Sequence, residues 1–193
     1  STLRDGEQAP GNSMSLEEKL AIALQLEKLG INTIEAGFPA SSDNEYNAVS
    51  AIAKKVRKPK IGAFARSKEC DIDKAGNALK EAQLGQIEIL GSGSDINLEY
   101  KRDMTREDGI REAKRVIKYA REKFPKLEVS FGIEDASRAD ISYLKELSSI
   151  AVEAGAKVIV IGDTVGYAIP KDFGKLISSV KERIPKDVTL SVH

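Results

Sequence analysis

The sequence predicts an α/β fold, a (β/α)8 TIM barrel that is incomplete at both ends of the chain. Two observations point to a parallel sheet covered by helices, and a third chooses the barrel. Short apolar strands alternate with amphipathic helices along all 193 residues, the pattern of parallel strands under helical cover. Strand centres fall near residues 35, 62, 89, 129, 160 and 190, close to the roughly 30-residue period of a βαβ unit. The segments that follow the strands, GFPASSDN, SGSDINLEYK, GIEDASR and GDTVGYAIP, are polar and rich in glycine. A barrel gathers such segments at the C-terminal ends of its strands, where catalytic groups collect. A doubly wound nucleotide fold would place a glycine fingerprint in its first strand–helix turn, and STLRDGEQAPG has none.

The elements follow in order. Ser15-Leu16-Glu17-Glu18 is a capping box, with Leu16, Leu20, Ala23 and Leu24 behind it at helical spacing. Gly30 ends that helix, and INTIEAGF is a short buried strand. A helix over about residues 44–55 leads to the strand KIGAFA, and one near Ile72 to Leu84 leads to QIEILG. Thr105 opens a helix with Ile110, Ala113, Ile117, Ala120 and Phe124 on one face. Then come the strand LEVSFG, a helix ending at Gly155, the strand KVIVIGD, a helix opened by Pro170, and the strand VTLSV. LGINTIEAG and AGAKVIVIG form a weak internal repeat, and no linker or boundary interrupts the chain. Residues 1–193 therefore read as one catalytic barrel domain, lacking its first strand and its last βα units.

Composition narrows the function. Lys and Arg together number 30, as do Asp and Glu, so no global field draws the chain to nucleic acid or anionic lipid. The mixed-charge face REAKRVIKYAREK reads as solvated. No apolar run reaches the roughly 18 residues of a membrane helix and no signal-peptide pattern is present, so a cytoplasmic protein is expected. A single cysteine, Cys70, suits a reducing compartment and stands in polar surroundings with no His beside it.

The loops offer several chemistries. Asp5 and Glu7 are carboxylates just past a strand end, and His193 ends another strand. A divalent cation takes such oxygen and nitrogen donors, while a lone terminal His is more often a solvated side chain. Glu134-Asp135 could supply a base or hold an arginine, or simply dress a helix N-terminus with acid. Glu35 stands in an otherwise apolar strand and needs a partner, for which Arg4 is the natural candidate. Thr164 is a hydrogen-bond donor or a turn residue; Ser92, Gly93 and Ser94 form an anion cradle or a turn.

TLRDGEQAPG, IEAGFPASS, SDINLEYK with MTRE, EDASRAD and DTVGYAIP together resemble, in order and spacing, the 2-isopropylmalate synthase and homocitrate synthase group of the DRE-TIM metallolyases. The resemblance covers essentially the whole chain and is closest to 2-isopropylmalate synthase. It implies an acyltransferase that condenses acetyl-CoA with 2-oxoisovalerate in leucine biosynthesis, with 2-oxoglutarate or pyruvate as the acceptor in sister enzymes. A non-catalytic paralogue that binds a metal or a 2-oxo acid is a further reading. It further implies a divalent cation (Mn²⁺, Mg²⁺ or Zn²⁺), with Asp5 as a ligand and His193 as the first histidine of an H-x-H pair whose second member lies beyond this chain. By the same resemblance Arg4 stabilises the enolate oxygen with Glu35 as its carboxylate partner, Gln8 lies near the oxo-acid, and Glu134 and Thr164 contact substrate or aid proton transfer. Family members are commonly homodimers. The chain departs from many isopropylmalate synthases at Glu88 and Asn97, where they carry His, and at Gly132-Ile133, where they carry Ser-Pro.

Overall fold

The structure is a computed structural model that describes residues 1–193. Six strands, β1 (Thr33–Glu35), β2 (Lys60–Arg66), β3 (Gly85–Ser92), β4 (Glu128–Glu134), β5 (Val158–Ile161) and β6 (Thr189–Val192), are hydrogen-bonded in chain order. The pairs β1–β2, β4–β5 and β5–β6 are parallel. A helix precedes β1 and joins every strand to the next: α1 (Leu16–Leu29), α2 (Asp43–Lys55), α3 (Glu69–Ala78), α4 (Arg106–Lys123), α5 (Ile141–Ala154) and α6 (Pro170–Lys181). This is the repeating βα unit of a (β/α)8 TIM barrel, present in part. The chain forms two compact units, one of Ser1–Glu88 with Lys123–Glu128, the other of Ile89–Glu122 with Val129–His193.

In the first unit Ile34, Val49, Ile52, Ile61, Ala63, Ile72, Leu79 and Ile87 are buried, each large aliphatic side chain contributing roughly 1.5–3 kcal/mol. The capping box of α1 is complete: Ser15 accepts from Glu18 N–H, and the Glu18 side chain accepts from Ser15 N–H at 2.8 Å. Gly30 closes α1 at φ 82°, a left-handed cap that costs a residue without Cβ nothing. The one displaced element is α3, expected near Ile72 to Leu84 and found three residues earlier and shorter. Ile72, Ala75 and Leu79 fit a helical period, but Leu84 O already accepts from Ile61 N–H at 2.9 Å, so the segment from Leu79 to Leu84 is a turn into β3. Sheet pairing overrides the propensity there.

In the second unit Ile89, Val116, Ile117, Phe131, Ile133, Leu144, Leu147, Ile159 and Ile161 are buried. Thr105 caps α4 reciprocally with Asp108: Thr105 Oγ1 accepts from Asp108 N–H at 3.1 Å and Asp108 Oδ2 accepts from Thr105 N–H at 2.9 Å. Asp140 caps α5 by accepting from Ser142 and Tyr143 N–H, Gly155 ends it, and Pro170 opens α6.

Candidate active site

In the first unit, buried Leu3 anchors the chain just before Arg4-Asp5, and a 3-10 turn, Gly6–Gln8, follows. Arg4 Nε donates to Glu35 Oε1 at 2.5 Å, and its Nη1 donates to Asp5 Oδ1 at 2.8 Å. The guanidinium carbon lies 5.1 Å from the centroid of the Phe64 ring, which is set edge-on to Phe38 at 4.9 Å. A planar cation is thus fixed by two carboxylates and an aromatic face, the geometry that suits Arg rather than Lys. Glu35 ends β1 and also accepts from the Ser1 hydroxyl. Gln8 is exposed beside Arg4 on an open cavity of about 400 Å³ lined also by Glu7, Met14, Phe38 and Glu45, within the size range of small-molecule sites.

Two residues with no role assigned from the sequence complete this unit. Lys19 of α1 is fully buried, and its ammonium meets the Glu7 and Glu45 carboxylates and the Leu3 carbonyl. Glu45 Oε2 in turn accepts from Phe38 N–H at 3.1 Å. One buried cation therefore ties the turn that carries Arg4, Asp5 and Gln8 to α2 and to the loop after β1. Its signal in the sequence was a lysine four residues before Ala23 on the inward stripe of α1. The second residue is Glu88 in β3. Gln86 Nε2 donates to its Oε1 at 3.1 Å. Burial pushes the Glu88 carboxyl up to about 8, the neighbouring Glu35 charge and hydrogen bond push the same way, and Arg4 and Gln86 oppose them only partly.

In the second unit, Glu134 ends β4 and receives Lys101 Nζ at 2.8 Å on both oxygens. Asp135 is buried, at φ 57°, and is fully engaged. Arg138 grips its two oxygens at 2.8 and 2.6 Å, the Ser94 hydroxyl donates to it at 2.5 Å, and its N–H donates to Thr164 Oγ1 at 2.9 Å. Burial would raise the Asp135 carboxyl, but Arg138 and Ser94 hold it below the usual range. Of the acidic pair, Asp135 therefore holds an arginine and braces the loop, and Glu134 is the more accessible acid. Thr164 is exposed; as the acceptor of that N–H it keeps its own hydroxyl proton to donate. Ser92 ends β3, and Gly93 N–H is committed to Glu134 O at 2.8 Å, so the middle backbone donor of Ser92-Gly93-Ser94 is already taken.

His193 follows β6, exposed, with its N–H bonded to Ile161 O and its carbonyl to Asp163 N–H. Asp5 lies in the first unit, exposed, with one oxygen on Arg4. Carboxylate oxygen and imidazole nitrogen are donor types that a Mg²⁺- or Mn²⁺-like cation accepts, so in kind both residues fit. No three His, Cys, Asp or Glu side chains gather in a cluster that could hold a metal.

A family model described as HMGL-like matches residues 1–193. The chain belongs to the HMGL-like family. It is 45% identical over 194 aligned positions to 2-isopropylmalate synthase 1 of Caldanaerobacter subterraneus subsp. tengcongensis, with 100% of this chain and 48% of that protein aligned. It is 46% identical to the 2-isopropylmalate synthase of Bacillus licheniformis, with 37% of that protein covered. The chain thus spans less than half the length of these relatives. Hydroxymethylglutaryl-CoA lyase from Pseudomonas aeruginosa shares the fold, at a TM-score of 0.78 and 17% identity over 99% of this chain and 65% of that one. No helix of this HMGL-like chain is long and apolar enough to cross a membrane.

Proposed function

We propose that this chain is part of the catalytic barrel of a 2-isopropylmalate synthase-type acyltransferase, which condenses acetyl-CoA with 2-oxoisovalerate. The observation that carries the reading is the 45% identity to a 2-isopropylmalate synthase along the whole chain, and the Arg4 geometry gives it a physical means. In this reading residues 1–193 are one catalytic domain in a cytoplasmic homodimer of leucine biosynthesis.

A base takes a proton from the acetyl methyl group, and the enolate carbon attacks the 2-oxo carbonyl, forming the new C–C bond. Water then adds to the thioester and the C–S bond breaks, releasing CoA as the thiol. Negative charge develops first on the enolate oxygen. Arg4, held in place by Glu35 and Asp5, meets that charge without reorganising, as an oxyanion hole does. Gln8 presents its amide to the oxo-acid. Glu134, with Lys101 on both oxygens, and the Thr164 hydroxyl serve substrate contact and proton transfer. A divalent cation, when bound, supplies Lewis acidity at the 2-oxo carbonyl. Asp5 and His193 are each of a donor type that such a cation would take.

The test is release of free thiol from acetyl-CoA with added Mn²⁺, comparing 2-oxoisovalerate, 2-oxoglutarate and pyruvate. Preference for 2-oxoisovalerate supports the reading, and preference for another acid moves the protein to a sister activity. Absence of release with every acceptor sinks the synthase reading.

A further inference from the structure

Glu88 lies outside the residues so far given a role, yet its surroundings are built for it. Glu35 of β1 is the register partner of Gly62 of β2. A Cβ placed on Gly62 would stand 2.1 Å from Glu88 Oε1 and 2.6 Å from its carboxyl carbon. The Glu88 carboxyl therefore occupies the volume that any other residue at position 62 would fill. By crossing the bare glycine it comes beside Glu35, whose negative charge opposes ionisation of a second carboxyl so close to it. Two carboxyl groups can share a hydrogen bond only if one of them carries a proton. The groups that face Glu88 are Glu35 on β1, Arg4 on the N-terminal segment and Gln86 on its own strand; on β2 the facing position is Gly62, and Lys60 on the same face is paired with Glu128 of β4. The Arg4 cation is already shared between Glu35 and Asp5.

We propose that Glu88 is a positioning residue that crosses Gly62 to share a proton with Glu35, and so sets the charge with which Glu35 holds Arg4. With the proton in place the pair carries one negative charge and Arg4 keeps positive character for a substrate oxygen. When the proton leaves, two carboxylates face Arg4 and the guanidinium is drawn into a closed ion cluster. The proposal deepens the synthase reading and rests on it only for what Arg4 does to substrate.

The test is carboxyl ¹³C NMR on the full chain carrying ¹³C-labelled glutamate, titrated from acid to alkaline pH, with Glu88→Gln and Glu35→Gln assigning the signals. The wild type is expected to show Glu88 titrating near 8, with the Arg4 Nε–H signal shifting over the same interval. Gly62→Ala displaces the carboxyl without removing it. It takes the carboxyl away from Glu35, so Glu88 titrates lower than in the wild type and the Arg4 shift is abolished. Glu88→Gln, which keeps the shape and a donor, also abolishes the alkaline Arg4 shift while leaving the fold intact. If Glu88 titrates as an ordinary glutamate in the wild type, or Gly62→Ala leaves its titration where it was, the proposal is overturned. A pH profile of thiol release is the second arm: the alkaline loss of rate in the wild type is expected to be absent in Glu88→Gln, and the same loss in both contradicts the proposal. If no acceptor supports release, the synthase reading fails alone, because the NMR arms still decide the carboxyl pair.

Discussion

Replacement of Lys19 by Met tests how the turn bearing Arg4 and Asp5 is held. The Lys19 side chain is 1% exposed, and its partners Glu7 and Glu45 are 17% and 18% exposed. Met preserves much of the length and apolar contact of the stem and removes only the charge. It leaves two largely buried carboxylates side by side with no cation between them. Removing one partner of a buried ion pair costs about 3–5 kcal/mol. The Phe38 N–H on Glu45 supplies part of the lost compensation, so the lower end, about 3 kcal/mol, is expected. For a domain of this size, at about 2–4 °C per kcal/mol, Tm falls by roughly 6–12 °C. Urea unfolding with linear extrapolation measures the free energy directly. The companion variant Lys19→Met, Glu7→Gln, Glu45→Gln neutralises the whole cluster. Since replacing a buried ion cluster entire is often near neutral, it is expected to recover more than half of the loss. A single variant within about 1 kcal/mol of wild type, or a triple variant less stable than the single, refutes the reasoning that this cluster is held by its charge balance.

Further outcomes follow from other contacts. Arg4→Gln keeps a donor near Glu35 but removes the cation, and is expected to lower kcat for thiol release by about 10²–10³-fold; unchanged kcat would exclude Arg4 from charge stabilisation. Asp135 titrates below its unfolded value in the folded state. Its stabilisation is therefore present above about pH 3.9 and is lost as pH falls through the lower folded value; Arg138→Met should weaken that acid limb in denaturant unfolding measured across pH. Tyr143 is buried and its hydroxyl donates to Ser92 O at 3.3 Å. Tyr143→Phe should cost about 1 kcal/mol in urea unfolding, and a stabilised variant would contradict that assignment.

Much of the fold was legible because helix boundaries here are written in local chemistry. Ser15 with Glu18, Thr105 with Asp108, Gly30, Gly155 and Pro170 each mark an end that the structure keeps. The end of α3 was not legible, because Leu84 is committed to Ile61 of β2, far away in sequence. The pairing of Glu35 with Arg4 was readable from the cost of an unpaired charge in an apolar strand. Asp135 could not be told from Glu134 by sequence: adjacent acids on a strand end point in opposite directions, one onto Arg138 and Ser94, the other onto Lys101.

The alternation of periods along the chain by itself determined a parallel α/β sheet in chain order, because amphipathic helices and buried strands are set by residues three or four apart and by short apolar runs. The motif order by itself determined the resemblance to a condensing-enzyme group, since five separated segments keep their residues and spacing. Only the tertiary structure decided that Lys19 is buried between Glu7 and Glu45 and that Glu88 lies across Gly62 against Glu35. These are contacts between residues some 12 to 53 positions apart. Their energies depend on desolvation and on which charges share a small volume, and no local pattern of residue types encodes either.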